Sequence, residues 1–177
     1  FLLFATCSDD TTVIIYTLTF QHPIMNCRLQ HHTDAVCSVT FHPTYPYLAT
    51  GSRDKTSIIY NFTTSPPTIQ YHLKHHTSKV YSIAFYQHFP CIATGSWDGT
   101  IIVYDLPTPK SPMIKYHLKQ HTTWVTCVVF HRIFPVLATS SWDNTAILYN
   151  MTERPPVIKC HLKHHIAGIS SIAFHPR

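Results

Sequence analysis

Four stretches of the chain, FATCSDDTTVIIYTL, LATGSRDKTSIIYNF, IATGSWDGTIIVYDL and LATSSWDNTAILYNM, align residue for residue. Their shared alanines, Ala5, Ala49, Ala93 and Ala138, recur with periods of 44, 44 and 45 residues. A second shared segment, typified by LKHHTSKVYSIAF, begins at Leu29, Leu73, Leu118 and Leu162. A period of this size, running through all 177 residues, restricts the chain to architectures built from one supersecondary unit used repeatedly.

The content of the unit narrows this further. Each period holds four short runs rich in Ile, Val, Tyr and Thr; in the third copy they are Val80–Phe85, Cys91–Ser96, Thr100–Leu106 and Met113–Leu118. Between the second and third runs, Trp97-Asp98-Gly99 has the Asp-Gly character of a tight hairpin. SPPT and RPPV break the chain ahead of the fourth run, where proline belongs. The inner runs are apolar on both alternating sides, so both sheet faces need cover. Four-stranded sheets covered on both faces by copies of themselves predict an all-β propeller.

These residues resemble the WD-repeat β-propeller family along the whole chain. A blade of that family reads Gly-His, a strand, a Ser-x-Asp turn and a strand ending in Trp-Asp. Here the histidine is His32, His76, His121 or His165, preceded by His or Gln instead of Gly. The turn aspartate is Asp10, Asp54, Asp98 or Asp143, and the Trp-Asp position holds Tyr16-Thr17, Tyr60-Asn61, Tyr104-Asp105 or Tyr149-Asn150. Trp97-Asp98 and Trp142-Asp143 are therefore part of the Ser-x-Asp turn, upstream of the signature dipeptide.

The resemblance implies a hydrogen-bonded tetrad in each blade: aspartate, histidine, strand hydroxyl, aromatic group. The sets are Asp54, His32, Thr50 and Tyr60; Asp98, His76, Thr94 and Tyr104; Asp143, His121, Thr139 and Tyr149; and Asp10, His165, Thr6 and Tyr16. Ser52 competes with Thr50 for the hydroxyl. The role is structural, since a buried carboxylate without partners is expensive. One domain, 1–177, is expected, with repeat units 1–31, 32–75, 76–120 and 121–164. Residues 165–177 then complete the first blade through the run Ile169–Phe174. Joining the final FHPR to the initial FLLFAT reproduces FHPTYPYLAT without a gap, so a whole number of repeats is expected. Four blades is fewer than the family's usual seven or eight. Three readings stay open: a piece of a longer propeller, a homodimer completing an eight-blade ring, or a small closed ring.

No nucleophile elbow, phosphate loop or metalloprotease helix is present. Four of the eight acids are the turn aspartates, which leaves paired-carboxylate chemistry few candidates; no enzyme activity and no cofactor are expected. The histidines of HLKHH (His72, His75, His76) repeat with the fold, and no cysteine stands at zinc-finger spacing from them, so scaffold is favoured over metal. Six scattered cysteines, with Cys27 and Cys160 where other copies carry Tyr71 and Tyr116, read as free thiols of an intracellular protein, cytoplasmic or nuclear. No stretch approaches the roughly 18 apolar residues of a membrane span, and FLLFA is too short for a signal sequence.

Lys74, Lys115, Lys119, Lys159 and Lys163 fall on the fourth run, where lysine blocks edge-to-edge sheet pairing; a nucleic-acid surface is the less favoured explanation. The tryptophans differ from the rest of the pattern. Trp97 and Trp142 stand at the x of Ser-x-Asp, where other copies carry Asp9 and Arg53. Trp124 precedes the first strand of its repeat, where others have Ala35, Lys79 and Gly168. In the family this chain resembles, both positions lie on the top face around the central channel. Copies lacking Trp keep the same pattern, although packing over a neighbouring loop would also use these rings. The expected site is a top-face surface for a peptide or protein, anchored by Trp97, Trp124 and Trp142. Arg53 and Lys79 there receive acidic or phosphorylated groups, with Asp9 beside them. The alternatives are a nucleic-acid-associated or a purely architectural subunit.

Overall fold

A computed structural model of the protein describes residues 2–88, 90–107 and 111–175. The first sheet contains β1 (Leu2–Cys7), β2 (Val13–Leu18) and β3 (Ile24–Leu29). The second contains β4 (Val36–Phe41), β5 (Tyr47–Ser52), β6 (Ser57–Asn61) and β7 (Thr68–Leu73). The third contains β8 (Val80–Tyr86), β9 (Cys91–Ser96), β10 (Ile101–Asp105) and β11 (Met113–Leu118), and the fourth β12 (Val125–Phe130), β13 (Val136–Ser141), β14 (Ala146–Asn150) and β15 (Val157–Leu162). Strands follow chain order within each sheet and every neighbouring pair is antiparallel. These sheets are the blades of a β-propeller.

The inner strands behave as their two-sided apolarity demands. All six residues of β5 and of β9 are buried, and the cover comes from the adjacent blade. One apolar cluster joins Val13, Ile15 and Leu29 of the first sheet to Leu48, Ile58 and Tyr60 of the second. Another joins the second and third sheets through Tyr47, Ile59, Tyr71, Phe85 and Ile92, and a third joins the third and fourth through Val103, Leu118, Val125, Leu137 and Tyr149. Each fully buried Ile, Leu or Val contributes about 1.5–3 kcal/mol, so stability resides at the blade boundaries.

Two irregularities recur and aim side chains. The pairing of β6 with β7 slips at Ile59/Tyr60, leaving Gln70 unmatched, and the same slip leaves out Asn26, Lys115 and Lys159 in the other sheets. The pairings of β4, β8 and β12 with their partners also slip, leaving Cys37, Tyr81 and Thr126 unmatched. Such bulges twist a strand and redirect the extra residue. In each Ser-x-Asp turn the residue after the aspartate is left-handed: Thr11 (φ 72°), Lys55 (73°), Gly99 (82°) and Asn144 (68°).

The end of the chain departs from expectation. Residues 163–175 form no strand and Ile169–Phe174 does not pair with β1, so the first sheet has three strands. The run instead docks on the fourth blade: Ile169 donates its N–H to the Ser141 carbonyl at 3.0 Å, as Val36 donates to Ser8 at 3.0 Å where the second blade follows the first. Thr126 Oγ1 donates to the Ile169 carbonyl, and the Phe174 ring meets His131 at 4.9 Å. Residues 165–175 are thus seated as the start of a further blade. The contacts that hold them are to their immediate predecessor in the chain.

Candidate functional site

Three blades assemble the tetrad. His32 Nδ1 lies 2.7 Å from Asp54 Oδ2 and its Nε2 2.8 Å from Thr50 Oγ1. The corresponding distances are 3.0 and 2.8 Å for His76 with Asp98 and Thr94, and 2.8 and 2.8 Å for His121 with Asp143 and Thr139. The Tyr60, Tyr104 and Tyr149 phenols lie next to Thr50, Thr94 and Thr139 at the end of each chain. Thr50, not Ser52, is the strand hydroxyl: Ser52 Oγ donates to the Asp34 carbonyl at 2.9 Å and accepts the Asp54 N–H at 3.0 Å, closing the turn. Thr56 adds its hydroxyl to Asp54 at 2.7 Å, with Thr100 and Thr145 equivalent at 2.6 Å.

The fourth tetrad does not assemble. His165, Thr6 and Asp10 are exposed. Asp10 is bonded by Thr12 at 2.6 Å and Arg28 at 3.4 Å, and Tyr16 stacks on Phe4 at 4.7 Å. The histidine reaches its aspartate only when the strand following it pairs with the strand preceding the turn. In the first sheet that partner is absent, because the C-terminal run sits on the fourth blade.

Burial lowers the pKa of His32 and of His121 despite the adjacent carboxylate, so both rings are neutral, with Nδ1–H donating to aspartate. Burial pulls the Asp143 carboxyl upward, but hydrogen bonds from Thr145, His121 and Thr122 outweigh it and bring the group down to about 2. Asp54 and Asp98 lie below the usual carboxylate range by the same balance. Burial pushes the Tyr60 and Tyr149 phenols up to about 12. These groups are locked in one protonation state, which suits a scaffold.

Sequence reasoning missed a fifth member. The residue before each tetrad histidine meets the phenol: His31 Nδ1 lies 3.3 Å from Tyr60 Oη, His75 Nδ1 3.3 Å from Tyr104 Oη, and Tyr149 donates to Gln120 Oε1 at 3.2 Å. The signal was present in the His or Gln that stands where the family has Gly. Tyrosine in place of Trp carries an oxygen at its tip, and a longer polar neighbour meets it.

At the Ser-x-Asp turns of the third and fourth blades, the tryptophans converge. The Trp97 backbone N–H donates to the Lys79 carbonyl at 2.9 Å, and the Trp142 backbone N–H to that of Trp124 at 3.0 Å, so the two positions that vary among copies are cross-strand neighbours. Across the boundary between the third and fourth blades, the Trp97 and Trp124 rings stack with centroids 4.1 Å apart and planes 8° from parallel. Trp142 adjoins Trp124 at 5.3 Å and 45°. Lys79 Nζ caps the other side of Trp97 at 4.5 Å from the centroid. Gly168 lies against Trp142: a Cβ there would stand 3.0 Å from its Cγ. Trp142 is 57% exposed and Trp124 39%. Tyr81 and Thr126, the bulged residues, share a cavity of about 270 Å³ with the three rings and Ser170. Further along the same face Arg53 pairs with Asp9 at 3.5 Å.

The sequence model described as WD domain, G-beta repeat, matches residues 24–61, 67–105 and 113–150. The chain belongs to the WD40-repeat family. Each match opens on the outer strand of one blade and ends on the third strand of the next, spanning one assembled or neighbouring turn aspartate. No curated protein matches the chain. WD repeats generally act as non-enzymatic scaffolds for protein interaction.

Among the six top-face residues named from the sequence, Trp97, Trp124, Trp142 and Lys79 form one continuous stack, and Arg53 and Asp9 form a separate exposed pair. Lys79 is partly engaged by the Trp97 face. Among the described residues no indole N–H of the three rings donates a hydrogen bond within the chain. The stack therefore presents its exposed edges at Trp124 and Trp142, while Lys79, the neighbouring indoles and Gly168 cover much of the ring faces.

Proposed function

We propose that this WD-repeat protein is an interaction scaffold whose top face binds an extended, acidic peptide segment of a partner protein. The carrying observation is the Lys79–Trp97–Trp124–Trp142 stack. Its ring faces are largely engaged, so a ligand meets edges: electropositive C–H groups and indole N–H donors. Those recognise carbonyl and carboxylate oxygens, and the nearby Arg53 offers a planar fork for a second carboxylate or a phosphate. The Asp9–Arg53 pair is exposed, and such pairs contribute about 0–1 kcal/mol, so a ligand carboxylate displaces Asp9 at little cost. Aromatic anchors flanked by charge are the usual centre of an interface.

The test is selection from a random-peptide display library on the protein and on its Trp97→Ala/Trp124→Ala/Trp142→Ala variant, after melting curves show both folded. Acidic sequences enriched on the parent and lost on the variant support this reading. Sequences that bind both proteins equally place binding elsewhere. A selection without enrichment favours an architectural role, and salt-sensitive binding of oligonucleotides unaffected by the tryptophans favours the lysine-bearing outer strands.

A further inference from the structure

The three blade boundaries are built from equivalent residues, which makes one an internal control for another. Between the second and third blades, the position opening the second strand is Tyr47. Its ring is buried (7% exposed), in one cluster with Tyr71, Phe85 and Leu106. Tyr71 seals the rim by donating its hydroxyl to the Pro107 carbonyl at 3.0 Å. Between the third and fourth blades the equivalent of Tyr47 is Cys91. The missing phenol leaves a cavity of about 250 Å³ walled by Tyr86, Cys91, Phe130 and Met151.

The rim changes as well. Where the second blade carries Gln70 the third carries Lys115, and the fourth blade adds Arg154, at the position that the second blade fills with Ser65. Both line this cavity and both line an adjoining one of about 360 Å³, so the two cations stand where the cavities meet. Lys115 is the unmatched bulge residue of β11, which turns it toward the rim. It pairs with Asp105 at 2.9 Å; among the described residues no carboxylate lies within salt-bridge distance of Arg154. Among the described lining residues, two cations and one acid leave one positive charge over an apolar hollow.

We propose that the boundary between the third and fourth blades binds a small monoanionic amphiphile, an apolar chain ending in a carboxylate. The chain takes the space that the Tyr47 ring fills in the neighbouring boundary, and the carboxylate lies between Arg154 and Lys115. The site is distinct from the top-face stack and does not depend on it. An apolar hollow with few polar groups at its mouth is the usual form of a small-ligand site. A monoanion matches the charge of the rim, and carboxylate recognition by Arg is charge-assisted and geometrically specific.

The experiment titrates octanoate, octylamine and octanol into the full chain by isothermal calorimetry. Octanoate is expected to bind, octanol about tenfold more weakly for want of the charged contact, a factor corresponding to about 1.4 kcal/mol, and octylamine without measurable heat. Cys91→Tyr, which installs the second blade's residue, is expected to abolish octanoate binding. Arg154→Ser and Lys115→Gln, which each remove one rim cation, are each expected to weaken it about tenfold, by the same conversion, and to leave the melting curve unchanged. These two surface variants decide the matter should Cys91→Tyr fail to fold. No binding of octanoate, binding of octylamine as tight as that of octanoate, or octanoate binding unchanged by the rim substitutions overturns the proposal.

Discussion

Asp143→Ala and Asp10→Ala remove the same side chain from the same turn in two blades, and the structure predicts opposite outcomes. Asp143 accepts four hydrogen bonds: from His121 Nδ1 at 2.8 Å, the Thr122 N–H at 3.0 Å, the Thr145 N–H at 2.9 Å and the Thr145 hydroxyl at 2.6 Å. Its side chain is 9% exposed and that of His121 0%. Water can reach Thr122, which is exposed, but the histidine N–H is left with only the Thr145 hydroxyl at 3.3 Å. Hydrogen bonds to charged groups contribute about 1.5–3 kcal/mol each. Losing the histidine bond and part of the Thr145 pair amounts to about 3 kcal/mol. For a chain of this size that lowers Tm by roughly 6–12 °C. Asp10 has no histidine and is exposed, so its removal leaves the urea midpoint and Tm within error of the parent. The assay is urea and thermal unfolding followed by far-UV circular dichroism. An Asp10→Ala variant as damaged as Asp143→Ala would show that His165 reaches Asp10 in solution, with the C-terminal run completing the first sheet. A harmless Asp143→Ala would refute the energetic reasoning itself.

Three further outcomes are expected. Stability declines as pH falls below about 6.5, because the unfolded chain takes up protons that buried His32 and His121 resist. A second decline follows below about pH 4, where the aspartates of the unfolded chain take up protons that folded Asp54, Asp98 and Asp143, with their depressed pKa values, do not; a Tm that is flat from pH 8 to pH 3 refutes both. Gly95→Ala places a Cβ 2.7 Å from Val125 Cγ1 and 2.8 Å from Val128 Cγ1, and costs about 1–3 kcal/mol by overpacking in urea unfolding; no loss would show that the blades slide apart freely. Lys55→Gly relieves a left-handed residue at φ 73° and stabilises by about 1 kcal/mol in thermal unfolding; a fall in Tm refutes the strain argument.

Much of this architecture was legible because it is local. Alternating runs, the Asp-Gly turn and the repeat period define strands and hairpins within one period, and the histidine–aspartate spacing follows the same period. The choice between Thr50 and Ser52 was not legible, since both hydroxyls lie on β5 and only the fold shows that Ser52 is consumed by its own turn. The partners of the tyrosine phenols were hidden for a related reason: His31 and Gln120 differ in type, and their common role is visible only once the phenol is placed. The pairing of the C-terminal run with β1 was inferred from sequence continuity across the two ends. Such a pairing depends on the accumulated curvature of all the blades, which no local pattern encodes. The tryptophans could be assigned to one face from the repeat register, but their stacking order depends on blade-to-blade spacing at the third boundary.

Every tetrad bond that forms is internal to one period. The histidine and its aspartate are 22 residues apart, the histidine and threonine 18, and the phenol and its partner 29. A genetic duplication of one such segment therefore delivers a sheet with its buried polar groups already satisfied, and the only new requirement is an apolar face that fits its neighbour. A recombination point placed between the histidine and the turn would instead strand a buried carboxylate on each product. Propellers of this kind can lengthen or shorten by whole blades, while breakpoints inside a blade are selected against.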